Sequence, residues 1–213
     1  MKQVIIIGAG GFGREVEMLI SQINTRQLTW DLLGFLDESL EAGTAIGSTK
    51  VIGGIDSAKD YSEAYFVLAL GNPKSKRNVA QRLGPKAKFA TLIHPNVLIG
   101  DRVSIGDGSI ICAGCLITVD ISLGKHTLLN LACTVGHDTI IGDYSSFMPG
   151  VNISGEVVIK AGVYVGTGAK IINQLEIGED TIVGSGAVVS KSLPPYCTAV
   201  GIPAKPIKFH DES

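Results

Sequence analysis

His137 is followed directly by Asp138, and this pair is the most reactive-looking constellation in a chain of 213 residues with only four histidines. Imidazole titrates near neutrality, so a histidine beside a carboxylate can take a proton from an amine or hydroxyl while the acid orients the ring and steadies its charged form. A solvated turn would carry the same two residues. His126 could serve in its place or contact a ligand. His94, in Ile93-His94-Pro95, suits a closing role, and His210 falls in a polar tail where a solvated or disordered ring is expected. Asn130, seven residues before His137, either holds the substrate or the base, or makes an internal polar contact.

A second kind of chemistry is written near the amino terminus. Val4-Ile5-Ile6-Ile7 reads as a buried strand and runs into Gly8-Ala9-Gly10-Gly11-Phe12-Gly13, the G-x-G-x-x-G spacing that lets phosphate approach backbone amides at a helix start. Asp37 ends the next apolar run, about where a ribose-binding acid would stand. Three readings follow: a site for one nucleotide-linked sugar, an NAD site, or a structural remnant. The segment is too short for two mononucleotide-binding halves, and no hydride-transfer domain follows it, which favours the first.

These residues need elements to position them. From Ile93 to Val189 an aliphatic or aromatic residue returns at every sixth position, including Ile111, Leu129, Phe147, Val165 and Val183. Two places before each stands a small or β-branched residue, such as Ser109, Cys133 or Ala169, and one place after it stands, often, a glycine such as Gly100, Gly142 or Gly166. A period of six is neither helical nor simple strand alternation, so each unit is a short strand plus a corner, and three units close one triangular coil. The reading is a parallel β-helix of about five coils. That register puts His137, Asp138 and His126 at corners and sends Cys115 and Cys133 inward. Cys112 and Cys115 form C-x-x-C, but buried core thiols are expected there rather than a metal site, and reduced thiols fit a cytoplasmic protein.

Residues 1–90 lack the hexad and read as a small Rossmann-like βαβ domain: a first helix to about Ile23, strands at Leu32–Asp37 and Ala64–Leu70, then a basic helix from about Lys74 to Leu83 capped by Gly84. The Gly/Ser/Thr-rich stretch from Asp37 to Asp56 either loops around the ligand's edge or is a plain surface connection. Residues 91–213 form the second domain. A net charge of −2 without any basic, aromatic-interleaved cluster excludes a nucleic-acid surface, and no apolar run approaches a membrane span.

From Val4 to Lys208 the chain resembles the hexapeptide-repeat sugar acetyltransferases of the NeuD/PglD type, the sialic acid O-acetyltransferases and UDP-amino-sugar N-acetyltransferases. The domain order, the segment from Asn130 to Gly136-His137-Asp138, and the tail Val200-Gly201-Ile202-Pro203-Ala204-Lys205 carry the resemblance. It implies a left-handed β-helix, a homotrimer with sites between adjacent prisms, and acetyl-CoA lying along the groove. It implies His137 as proton acceptor and Asp138 as its carboxylate, with Gly8, Ala9, Gly10, Asp37 and Gly71 holding a nucleotide sugar. Asn130 is placed with the substrate; Thr167, Ser185 and Lys205 are placed with the coenzyme. Ser146 is placed there too, although an amino-sugar enzyme of the family has a second histidine at that position. The expected reaction is direct N-acetylation of a nucleotide-linked amino-deoxy sugar, with no acyl-enzyme and no thiol nucleophile. The alternative is O-acetylation of a sialic acid or a polysaccharide sugar.

Overall fold

The computed structural model describes residues 1–211, which divide into two compact units with the boundary between Pro95 and Asn96. The first is a six-stranded sheet, and every neighbouring pair but one is parallel. Strand β1 (Lys2–Ile7) lies at its centre with Val4 to Ile7 all buried, as the unbroken apolar run requires of a strand covered on both faces. Helix α1 (Gly11–Arg26) buries Gly13, Val16, Leu19 and Ile20, one helical stripe. Strand β2 (Trp30–Leu36) pairs with β1 on one side.

The stretch after Asp37 is neither of the two expected connections. A hairpin of β3 (Ala45–Ile46) and β4 (Thr49–Gly53) adds to the sheet, with β4 running parallel to β2. A 3₁₀ helix (Ile55–Tyr61) leads to β5 (Tyr65–Leu68), which flanks β1 on its other side. Helix α2 (Pro73–Leu83) starts on an Asn72 cap whose side chain accepts from Ser75 N at 3.0 Å, and it stops at Gly84 with φ 81°. Strand β6 (Lys88–Phe89) completes the sheet.

The second unit is the β-helix. Two- and three-residue strands stack at a spacing of 18 residues into three parallel faces, as in the register Leu116↔Thr134↔Asn152↔Lys170↔Val188. The large sixth-position row is buried from Ile111 to Val189, whereas Ile99, in an end coil, is exposed. The small row from Ser109 on is buried with it, save for the half-buried Leu175: Ser109, Cys133, Thr139, Val157 and Ala169 fill the prism with the large row. A β-carbon on Gly100 would lie 2.2 Å from Thr118 O and one on Gly142 2.5 Å from Ala161 N, so glycine recurs where successive coils touch backbone to backbone.

One row escaped the sequence pattern. The third place after each large residue takes a positive φ at corner after corner, by glycine at Gly114, Gly150 and Gly168, but by side-chain-bearing residues at Asp120, His126, Asp138, Tyr144 and Glu156. The chain ends in an antiparallel hairpin of Cys197–Val200 with Lys205–Phe209. His210 is not loose: its Nε2 lies 2.8 Å from Thr198 Oγ1 and its N–H donates to Tyr196 O at 2.7 Å. Among the described residues no helix is long and apolar enough to cross a membrane.

Candidate active site

In the first unit the expected ligand residues gather at the carboxyl ends of β2, β1 and β5, where parallel sheets bind ligands. Gly8 turns the chain at φ 99°, with Ala69 O 3.1 Å from where its β-carbon would be. Gly13 packs closer still, since a β-carbon there would fall 2.1 Å from Gly8 O. Gly10 and Gly11, by contrast, face open space, and Gly10 begins α1 without any side-chain cap. The first amides of α1 therefore meet no protein acceptor from a cap, and no acidic residue lies in the first turn to oppose an anion.

Asp37 is committed to this turn. Its Oδ2 accepts from Ala9 N at 2.8 Å, and its Oδ1 accepts from Ser39 N at 2.8 Å and Ser39 Oγ at 2.6 Å. Burial opposes its ionisation, but the hydrogen bonds from Ser39 and Ala9 prevail and hold the carboxyl below its usual range. Gly71 follows β5 and leads into the Asn72 cap of α2. One residue of this unit had no signal in the sequence: Lys76, in the first turn of α2, is 2% exposed, and burial pushes its ammonium down to about 7.

In the second unit His137 and Asp138 stand on the corner after Val135. Their side chains are more than half exposed, with His137 Nδ1 2.8 Å from Asp138 Oδ2. Asp138 holds φ 57°, which turns its carboxylate back beside the ring of the preceding residue. With Nδ1 engaged, Nε2 is the nitrogen that can take a proton. The corner is acidic: Asp120 (paired with Arg102, Nη2–Oδ2 2.8 Å), Asp138 and Glu156 follow one another coil by coil.

The other candidates lie elsewhere. Thr167 and Ser185 are exposed neighbours in adjacent coils of a different corner, the one that also carries Asn130. A face of six residues, roughly 15–20 Å, separates that corner from His137. Asn130 is 7% exposed, and its Oδ1 accepts from Leu131 N at 2.7 Å, the internal polar contact of the two readings. Lys205 is exposed at the start of the last strand, whose preceding loop is tied to the prism by Val188 N–H to Gly201 O and Ala204 N–H to Val188 O. Ser146 departs from expectation: paired between Leu128 and Tyr164, it is completely buried with an unpartnered Oγ, so a coenzyme finds no open surface there. His126 stands on the third corner, 4% exposed and stacked on Tyr144 at 5.0 Å, and does not share the His137 site.

The cysteines are core. Cys115 Sγ donates to Asn130 O at 3.1 Å and Cys133 Sγ to Met148 O at 3.3 Å. The neighbouring Cys115 thiol and burial both push Cys133 up, away from a nucleophilic thiolate.

Residues 3–83 match the PglD N-terminal domain family. A UDP-N-acetylbacillosamine N-acetyltransferase of Bacillus subtilis (strain 168) is 37% identical over 119 residues, 53% of this chain and 52% of that protein, so the match spans about half of the curated relative's length. Among solved structures, WeeI from Acinetobacter baumannii AYE is 32% identical and superimposes with a TM-score of 0.86 over 97% of this chain and 100% of its own. The perosamine N-acetyltransferase of Caulobacter crescentus, solved as a mutant with CoA and GDP-perosamine, gives a TM-score of 0.87 at 25% identity over 98% of both chains.

Proposed function

The chain belongs to the hexapeptide-repeat sugar acetyltransferases of the NeuD/PglD type, and within that family we propose that it transfers the acetyl group of acetyl-CoA to the amine of a nucleotide-linked amino-deoxy sugar. The observation that carries this is the exposed His137–Asp138 pair, bonded at 2.8 Å with Nε2 left to work. His137 Nε2 takes a proton from the sugar amine as its nitrogen attacks the thioester carbonyl. The C–S bond then breaks, and the proton held on Nε2 passes to the departing thiolate. Asp138 keeps Nδ1 protonated and balances the imidazolium. The Gly155 N–H, which has no acceptor among the described residues, is the donor for the oxyanion.

A nucleotide is the natural handle for the first unit: open Gly10 and Gly11 at the start of α1 suit its phosphates, with Gly8, Ala9, Asp37 and Gly71 shaping the turn. Both N-acetyltransferases reported above are named for amino sugars that a nucleotide carries, which supports the amine over a hydroxyl as acceptor. Acetyl-CoA supplies the activated acyl group, and the exposed hydroxyls of Thr167 and Ser185 with the Lys205 ammonium form a polar strip suited to its phosphates and amides. Because that strip and His137 occupy different corners, a site containing both takes its second corner from another copy of the chain. A homotrimer completes three such sites. Four buried free cysteines support a cytoplasmic location.

The test is thiol release from acetyl-CoA with a panel of nucleotide-linked amino sugars and free sialic acid. Turnover is expected on an amino-sugar nucleotide, and His137→Ala should lower kcat by about 10² to 10⁴ while assembly survives. Near-normal turnover in that variant removes His137 as the base, and activity on sialic acid alone moves the reading to O-acetylation.

A further inference from the structure

Gly155 stands one coil of 18 residues beyond His137 in the same corner row. A β-carbon built on it meets the His137 ring before anything else: Nε2 at 2.6 Å, Cε1 at 2.7 Å and Cδ2 at 2.9 Å. The nitrogen assigned to proton transfer therefore fills the space that a side chain at position 155 would occupy. All three of the atoms nearest to that β-carbon belong to the ring. Gly155 does not have the left-handed φ that excludes other residues. In the row two places after each large core residue, from Asp101 through Val119, Leu131, Ala161 and Asn173 to Ser185, Gly155 is the single glycine. At this coil the glycine is also displaced by one place, Ser154-Gly155 standing where Gly136-His137 stands in the coil before.

We propose that Gly155 is a positioning residue for the reaction, its missing side chain forming the seat on which the His137 ring rests while Asp138 grips Nδ1. One contact fixes each edge of the ring, and neither alone fixes its plane. This rests on His137 as the base, and it assigns a role to the absent β-carbon that is separate from the Gly155 N–H, which alanine would retain.

The experiment is Gly155→Ala, in the wild type and in His137→Ala. The ring is more than half exposed and can swing aside, so the unfolding midpoint should stay within about 2 °C. The expected result is a kcat at least tenfold lower with both KM values within about twofold, displaced imidazole NMR signals for His137, and no further loss when Gly155→Ala is added to His137→Ala. Wild-type kcat with unmoved ring signals overturns the proposal, as does an equal loss in the His137→Ala background, which would mean that Gly155 acts without the ring. If His137→Ala itself turns over normally, the base assignment falls; the ring signals of Gly155→Ala then still decide whether the glycine is the seat.

Discussion

The two units build their sites from opposite materials. In residues 1–95 the candidate site is backbone: glycines bring a strand end within contact of a helix start, and the Asp37 carboxylate is spent on the turn through Ala9 and Ser39. In residues 96–211 the strand backbones hydrogen-bond from coil to coil, and the candidate proton-transfer groups are side chains at a corner, where His137 and Asp138 project. The interiors differ in the same way. The prism buries neutral hydroxyls and thiols, Ser109, Thr139 and Cys133 among them, while the sheet unit buries an amine, Lys76. A ligand bound by backbone tolerates side-chain change and fails when the backbone moves; a site of corner side chains tolerates neither a lost ring nor a ring out of place.

The largest effect that tests this separation should come from Phe147→Ala. Phe147 is 0% exposed in the middle of the stack, and its truncation should cost about 3–5 kcal/mol, read as a lower denaturant midpoint. Each coil leans only on its neighbours, so amide exchange should quicken first in the strands at Leu129 and Val165, paired directly with Phe147. Equal quickening in β1 would show that the two units open as one, and the contrast between them would fail.

How much of this was legible before the structure differs by unit for a physical reason. In the prism, position modulo six decides burial, so the core, the corner placement of His137 and the inward thiols could all be read from the chain. What could not be read were relations between coils: the burial of Ser146 depends on Leu128 and Tyr164 beside it, and the seat of His137 depends on a glycine in the next coil. That second signal was present as a lone glycine in its row, visible only once the 18-residue period is laid out as columns. In the sheet unit the fingerprint and Gly84 announced their turns, but β3 and β4 are short and set among loop glycines, and their place in the sheet comes from the pairing of β4 with β2 rather than from any pattern of their own. His210 was misread for the same reason, its order being supplied by Thr198 and Tyr196.

Gly13→Ala should strike the backbone site alone. The new β-carbon would fall 2.1 Å from Gly8 O, a backbone atom that cannot step aside, so α1 must lift from the turn at a cost of about 1–3 kcal/mol. Affinity for the nucleotide-linked sugar is expected to fall at least tenfold, measured by calorimetry, while thermal protection by acetyl-CoA persists. Unchanged sugar affinity would mean that the open glycines are not where the nucleotide binds.

Lys76 turns the contrast between the interiors into a pH experiment with two signs. Burial moves its folded-state value from 10.5 down to about 7, so between those limits the unfolded chain holds a proton that the folded chain has released. Stability then rises with pH across that window, by up to about 1.4 kcal/mol per unit, and is fully recovered above the unfolded value. The prism titrates the other way. The contact that raises Cys133 lowers Cys115, so that pair offsets itself, whereas Cys197, raised by burial, stays protonated when folded while its unfolded thiol ionises from 9.0 upward, so its contribution is complete below that value and declines above it. Denaturant midpoints from pH 7 to 10 should therefore climb and then flatten as that thiol begins to oppose the amine. Lys76→Met should remove the climb and leave only the alkaline decline. A wild-type midpoint that is level from pH 7 to 9 would mean that Lys76 keeps its charge inside the fold, and that the sheet unit, like the corners of the prism, holds ions by pairing them.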